Sequence, residues 1–259
     1  MTPAAGLVDA YDISADAWTR GPERVYEAMA EALIDAAGVP IAGARVLDVG
    51  AGTGTASRAA RRAGATLIVG IDVSPMMLRA GRGWDVAIVA DALAMPFAHG
   101  CFDVAAAAFS IGHLDDPIAG LTETRRVARS LAASAFLTGW THPAKAVVDA
   151  TAGNFGFSLP EWYRILKSGP EEAVDDPDRL TAAAVAAGYG KVDVTVHEVD
   201  VGLRTPEQVS AWRLGMAHLA PFVATLDPER QRDLHAACSE ALIGMPPVVV
   251  PMVVLAATA

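Results

Sequence analysis

Cysteine is almost missing from this chain: two residues, Cys101 and Cys238, in 259, neither in a C-x-x-C pair. That excludes a disulfide framework and predicts a reducing, cytoplasmic setting. Lysine is scarce as well, with three among the twenty basic residues, and no basic run occurs. Against thirty acidic residues and a net charge of −10, a sequence-independent grip on nucleic acid or on an anionic membrane is not expected. The longest apolar stretch, Val248 to Ala257, is broken by Pro251 and is too short to span a bilayer. Met1-Thr2-Pro3-Ala4-Ala5-Gly6 shows no basic segment followed by an apolar one, so no secretory leader is expected. No His/Cys/Asp cluster has metal-ligand spacing, which predicts that no metal is held. What is present is a chain 53% hydrophobic, ample for a large core.

Residues 22–37 read as an amphipathic helix, with Pro22 at its first position and Gly38 and Pro40 to stop it. Beyond it, short apolar runs alternate with helical segments. Strands are predicted at 45–49, 67–71, 86–89, 102–109 and 133–138, with helices at 55–63, after Ser74, and at 118–129. Apolar strands without polar alternation, each followed by a helix, signify a parallel sheet covered on both faces. Right-handed crossovers then bring the loops after the strands to one edge, where open α/β sheets bind ligands. Further on, Asp176-Pro177 starts a helix ended by Gly188, and 191–201 alternates as a strand. Thr205-Pro206-Glu207-Gln208 forms a capping box, Asp227 caps another helix, and 248–257 is a last strand interrupted by Pro251. With no repeat or linker, the expectation is one α/β domain over 1–259.

The informative segment is Val46-Leu47-Asp48-Val49-Gly50-Ala51-Gly52-Thr53-Gly54, a strand entering a glycine-rich turn. Glycines let backbone amides approach a ligand without side-chain interference. The dinucleotide fingerprint G-x-G-x-x-G would require glycine at 55, where Thr55 stands, which argues against a nicotinamide-dependent oxidoreductase. Asp48 before the turn would repel a pyrophosphate and suit a cation. Asp72 ends the second strand, where a carboxylate can accept both ribose hydroxyls. Asp91 ends the third, where it could receive an exocyclic amine. Together the three acids suggest a positively charged, phosphate-free adenosine compound.

With these residues in view, the sequence resembles the class I S-adenosylmethionine-dependent methyltransferases of the ubiquinone/menaquinone-biosynthesis type. The resemblance rests on Val46–Gly54, on Gly70 to Leu78, on Ala90 to Phe97, and on Cys101-Phe102-Asp103 with Phe109 to Pro117. It covers residues 40–140 closely. It implies a Rossmann-like fold with a seven-stranded, mostly parallel sheet, and S-adenosylmethionine as cofactor. Gly50, Ala51 and Gly52 would then meet the methionine portion, Asp72 the ribose, and Val73 and Met77 the borders of the adenine. Asp91 and Ala92 would read its amine and ring nitrogen, and Ser110 would lie beside the methionyl group. It also implies an N-terminal helical lid over residues 1–40, with Tyr11 and Trp18 part of it, above a cofactor-binding core at 41–140.

Methyl transfer from a sulfonium needs a positioned nucleophile and, where the acceptor must lose a proton, a base. His113, just past the fourth strand, is the candidate base, and His142 after the fifth strand is a second candidate to face the substrate. Phe109-Ser110-Ile111-Gly112 replaces the Asn/Asp-Pro-Pro-aromatic motif of nucleic-acid amine methylases. Thr138-Gly139-Trp140-Thr141-His142 supplies no carboxylate for a catechol-type magnesium site. Insertions at 141–190 and 204–246 are expected to cover the substrate. Phe155, Phe157, Trp162 and Tyr163 in the first, and Trp212, Met216 and Phe222 in the second, suggest a largely apolar chamber for a small organic acceptor. The arginines at 58, 61 and 62, and at 125, 126 and 129, read as solvated helix faces. An alternative keeps the fold and cofactor without methyl transfer, as in a cyclisation or a binding module.

Overall fold

The computed structural model describes residues 6–259, so Met1 to Ala5, where the absence of a leader was read, lie outside the described residues. Two helices, α1 (Leu7–Arg20) and α2 (Pro22–Ala36), precede the first strand, β1 (Arg45–Val49). There follow α3 (Thr55–Arg62), β2 (Leu67–Asp72), α4 (Pro75–Ala80), β3 (Val86–Val89) and β4 (Phe102–Ala108). A single 3₁₀ turn at Ile111–His113 leads to α5 (Pro117–Val127) and β5 (Ala128–Phe136). Helices α6 (Pro143–Asn154), α7 (Glu161–Lys167) and α8 (Pro177–Ala186) come before β6 (Lys191–Asp200). Helices α9 (Pro206–Leu214), α10 (Ala220–Thr225) and α11 (Pro228–Ala241) come before β7 (Val249–Thr258).

The seven strands form one sheet in the order β3-β2-β1-β4-β5-β7-β6, parallel except for β7, which runs antiparallel to both neighbours. The order reverses between β1 and β4, and this switch point opens the ligand crevice at the strands' carboxyl ends. Val46, Leu47, Val104, Ala105, Ala106, Leu131 and Ala132 are fully buried. Such two-sided burial explains why these strands lack polar alternation.

Two boundaries differ from the sequence reading. Helix α5 stops at Val127 and β5 begins at Ala128, so Arg129 stands on a strand and not on a helix. Ala and Ser dominate the segment and carry little periodicity, so pairing of Phe102 with Ala128 and Val104 with Ser130 decides its conformation. Pro251 does not interrupt β7. In an antiparallel ladder a residue's N–H and C=O face the same neighbour. The Pro251 carbonyl accepts from Leu137, just past the end of β5, so its missing N–H costs the ladder nothing.

Helix α1 lies across the cofactor side of the sheet, a segment whose pattern alone predicted no helix. Gly21 joins it to α2 and permits close contact with α9, since a Cβ there would stand 2.1 Å from the Ala211 carbonyl oxygen. Arg58 is not on a solvated face. It bonds Glu23 at 2.5 Å and Glu27 at 3.2 Å on α2, and donates to the Thr53 carbonyl at 2.8 Å. The arginine thereby ties the glycine turn to α2.

Candidate active site

The strand β1 releases the chain into a turn whose Gly50, Gly52 and Gly54 have φ of 68°, 54° and 86°. A Cβ on Gly50 would fall 2.4 Å from the Cβ of Ser110, so the turn and the end of β4 can approach only with glycine here. Ser110 Oγ donates to the Val49 carbonyl at 2.6 Å and locks the approach. The residue before it, Phe109, holds φ 58°, a left-handed conformation that a phenylalanine adopts only when its surroundings impose it.

A cleft opens above this turn. Gly50, Ala51, Gly52, Asp72, Val73, Met77, Asp91, Ala92, Ser110 and His113 all line it, together with Tyr11 and Trp18 of α1. Asp72 accepts from the amides of Gly52 and Ser74, each at 2.8 Å, one on each oxygen. Burial raises its pKa, opposed by those two amides. Asp91 accepts from Leu93 N at 2.8 Å. Asp48 is different: it is not among the lining residues. It lies buried beneath the turn, where one oxygen accepts from Ser57 N at 2.8 Å and Ser57 Oγ at 2.6 Å. Desolvation pushes it up to about 6. Its position two residues before Gly50 sends it under α3, so it shapes the turn and does not face the cleft.

Tyr11, Tyr26 and His113 also border a second chamber of about 250 Å³, far above the roughly 10–15 Å³ that one water needs. The Tyr11 hydroxyl and His113 Nε2 are 3.0 Å apart, and His113 Nδ1 is buried without a partner. Burial lowers the His113 pKa and raises that of Tyr11, so near neutral pH the pair is an uncharged imidazole beside a phenol. Trp162, Tyr163, Trp212 and Met216 line the chamber as the sequence suggested. Phe155, Phe157 and Phe222 instead pack into the core between the insertions and the sheet. His142 caps α6 through Nδ1 to Ala144 N and does not line the chamber.

Residues 47–134 match a family model described as "Methyltransferase domain". The demethylmenaquinone methyltransferase of Beutenbergia cavernae is 35% identical over 199 residues, 70% of this chain and 79% of that protein. The chain belongs to the quinone-biosynthesis type of class I S-adenosylmethionine-dependent methyltransferases. The enzyme of the same name from Corynebacterium kroppenstedtii is 37% identical over 120 residues, and there the match spans 46% of this chain and half the length of that relative. A putative methyltransferase from an antibiotic biosynthesis pathway of Anabaena variabilis shares the fold. Its TM-score is 0.60 at 14% identity, over 89% of this chain and 96% of that one.

The cleft suits this cofactor on its own chemistry. Among the described residues lining it, Asp72, Asp91 and Asp115 are acidic and none is Lys or Arg. Such a surface is unsuited to phosphate and complementary to a cation. Thr53 Oγ1, buried and unpartnered at the glycine turn, offers a further polar contact. Sequence reasoning missed the polar side of the second chamber: Lys145, Lys167, Glu171, Arg213 and His218. One signal was present, since two of the chain's three lysines fall in the 141–190 insertion.

Proposed function

We propose that the protein transfers a methyl group from S-adenosylmethionine to a small metabolite held in the second chamber, in the cytoplasm and without a metal. The single observation that carries this reading is a cleft lined, among the described residues, by acids and by no Lys or Arg, which shares Tyr11, Tyr26 and His113 with a second chamber. The sulfonium, when bound, supplies an activated methyl group. Gly50, Ala51, Gly52 and Ser110 would hold the methionyl portion, Asp72 the ribose hydroxyls, and Val73, Met77, Asp91 and Ala92 the adenine. Asp48 would act through the turn it supports.

His113 is the proposed base. Burial keeps it neutral and hence able to take a proton from an acceptor hydroxyl or amine, while Tyr11 fixes its ring. Helices α1 and α2 would exclude water from the transfer as a lid over the segment up to residue 40. Residues 41–140 form the cofactor half of one domain in this reading, and 141–190 and 204–246 cover the acceptor. Incubation with methyl-labelled cofactor and a metabolite extract is expected to give a labelled product and S-adenosylhomocysteine. Absence of both, with the folded protein binding neither form of the cofactor, would remove the reading.

A further inference from the structure

The second chamber is lined by aromatic rings interleaved with charged side chains, and its charges do not cancel. Lys167 pairs with Glu171, Arg213 with Asp149 at 3.1 Å, and Arg179 with Asp175 at 2.5 Å. Lys145 has no carboxylate partner among the described residues. Its ammonium lies 3.8 Å from the centroid of the Trp140 ring, and Trp140 stacks on Phe136 at 5.9 Å and 4°. Across the chamber's lining, Tyr163 stacks on His218 at 4.1 Å and 13°. Arg213, itself buried, leaves Nε without a partner. A chain carrying net −10, with arginine for nearly all its cations, thus places two of its three lysines and a buried arginine around one aromatic-walled space.

Building on the proposed methyl transfer, we propose that the acceptor is an aromatic carboxylic acid whose carboxylate is held by Lys145 and Arg213. The surplus is one positive charge, which matches a carboxylate and not a phosphate dianion. The parallel ring pairs match a planar ring system. Lys145 and Arg213 border the chamber but not the cofactor cleft, so the carboxylate is an anchor and another atom of the ring system receives the methyl group. Burial, with Arg213 and Lys167 nearby, pushes the Lys145 ammonium down to about 7 against the opposite pull of Glu171 and Asp149. A bound anion would hold the charge that burial disfavours.

Calorimetry on the full chain, saturated with S-adenosylhomocysteine, tests this with benzoate, salicylate, indole-3-carboxylate and 2-naphthoate, each beside its amide. At least one acid is expected to bind tenfold or more tighter than its amide. Lys145→Met should abolish that preference, and Lys145→Arg should retain it. Equal affinity for every acid and its amide, or a preference that survives in Lys145→Met, overturns the proposal. Cofactor binding is measured separately in each variant. Its presence without acid preference rejects only the aromatic acid, and its loss in the wild-type protein rejects the methyl-transfer reading.

Discussion

Asp72 holds two backbone segments together and also lines the cleft. Its two oxygens hold the amides of Gly52 and Ser74, which fix the glycine turn and the start of α4. Hydrogen bonds to a charged group contribute roughly 1.5–3 kcal/mol each, so Asp72→Ala is expected to weaken S-adenosylhomocysteine binding by about 2–4 kcal/mol. Calorimetry on a folded variant checks this, and unchanged affinity would take Asp72 out of the site. Asp72 was legible because an acid at the end of the second strand has one geometric destination. Asp48 was not legible in the same way: the same residue type on the neighbouring strand turns under α3 and bonds Ser57 instead.

Among the elements, α1 is one that the sequence pattern did not yield, as are α6, α7 and α10. Its buried residues, Leu7, Ala10, Ser14, Ala15 and Trp18, recur at helical spacing, so the period is present in the sequence. Contacts decide where it lies: Trp18 packs with Tyr26 at 4.8 Å and Tyr11 meets His113. The placement of α1 depends on the corner at Gly21, where any side chain collides with the backbone of α9. Gly21→Ala is therefore expected to destabilise the protein by about 1–3 kcal/mol, the usual cost of overpacking, and to weaken cofactor binding as α1 shifts. Urea denaturation and S-adenosylhomocysteine titration measure the two effects. A variant matching the wild type in both would show that the corner is not a constraint.

Across the whole molecule, buried histidines set the response to acid. Burial, with Arg213 and the chamber lysines, drives His218 from 6.5 down to about 2. The unfolded chain binds that proton below 6.5 while the folded chain does not. Stability is thus fully present above 6.5 and falls as the pH drops, by up to about 1.4 kcal/mol per pH unit for this residue. His113 and His142 act in the same direction. Asp48 acts oppositely: lowering the pH from about 6 towards 3.8 relieves its buried charge. His218→Phe should flatten the Tm profile between pH 6.5 and 4.5, and an unchanged slope would refute the assignment. Ligand binding offers a second global readout. S-adenosylhomocysteine at 100 times its Kd should stabilise the fold by about 2.7 kcal/mol, and NADH should give no shift.

The sequence by itself determined the sheet, the glycine turn and the acids at its edge, because each is written locally in a strand period, a left-handed turn or a strand end. The core between β1 and β5 was legible for that reason, apart from the alanine-rich start of β5. Tertiary structure alone decided the polar lining of the second chamber. Lys145, Lys167, Glu171, Arg213 and His218 are spread over more than 70 residues and lie in segments with weak or ordinary helical patterns. Their charges acquire a common meaning only when packing removes them from water and brings them around one space, and no local period carries that information.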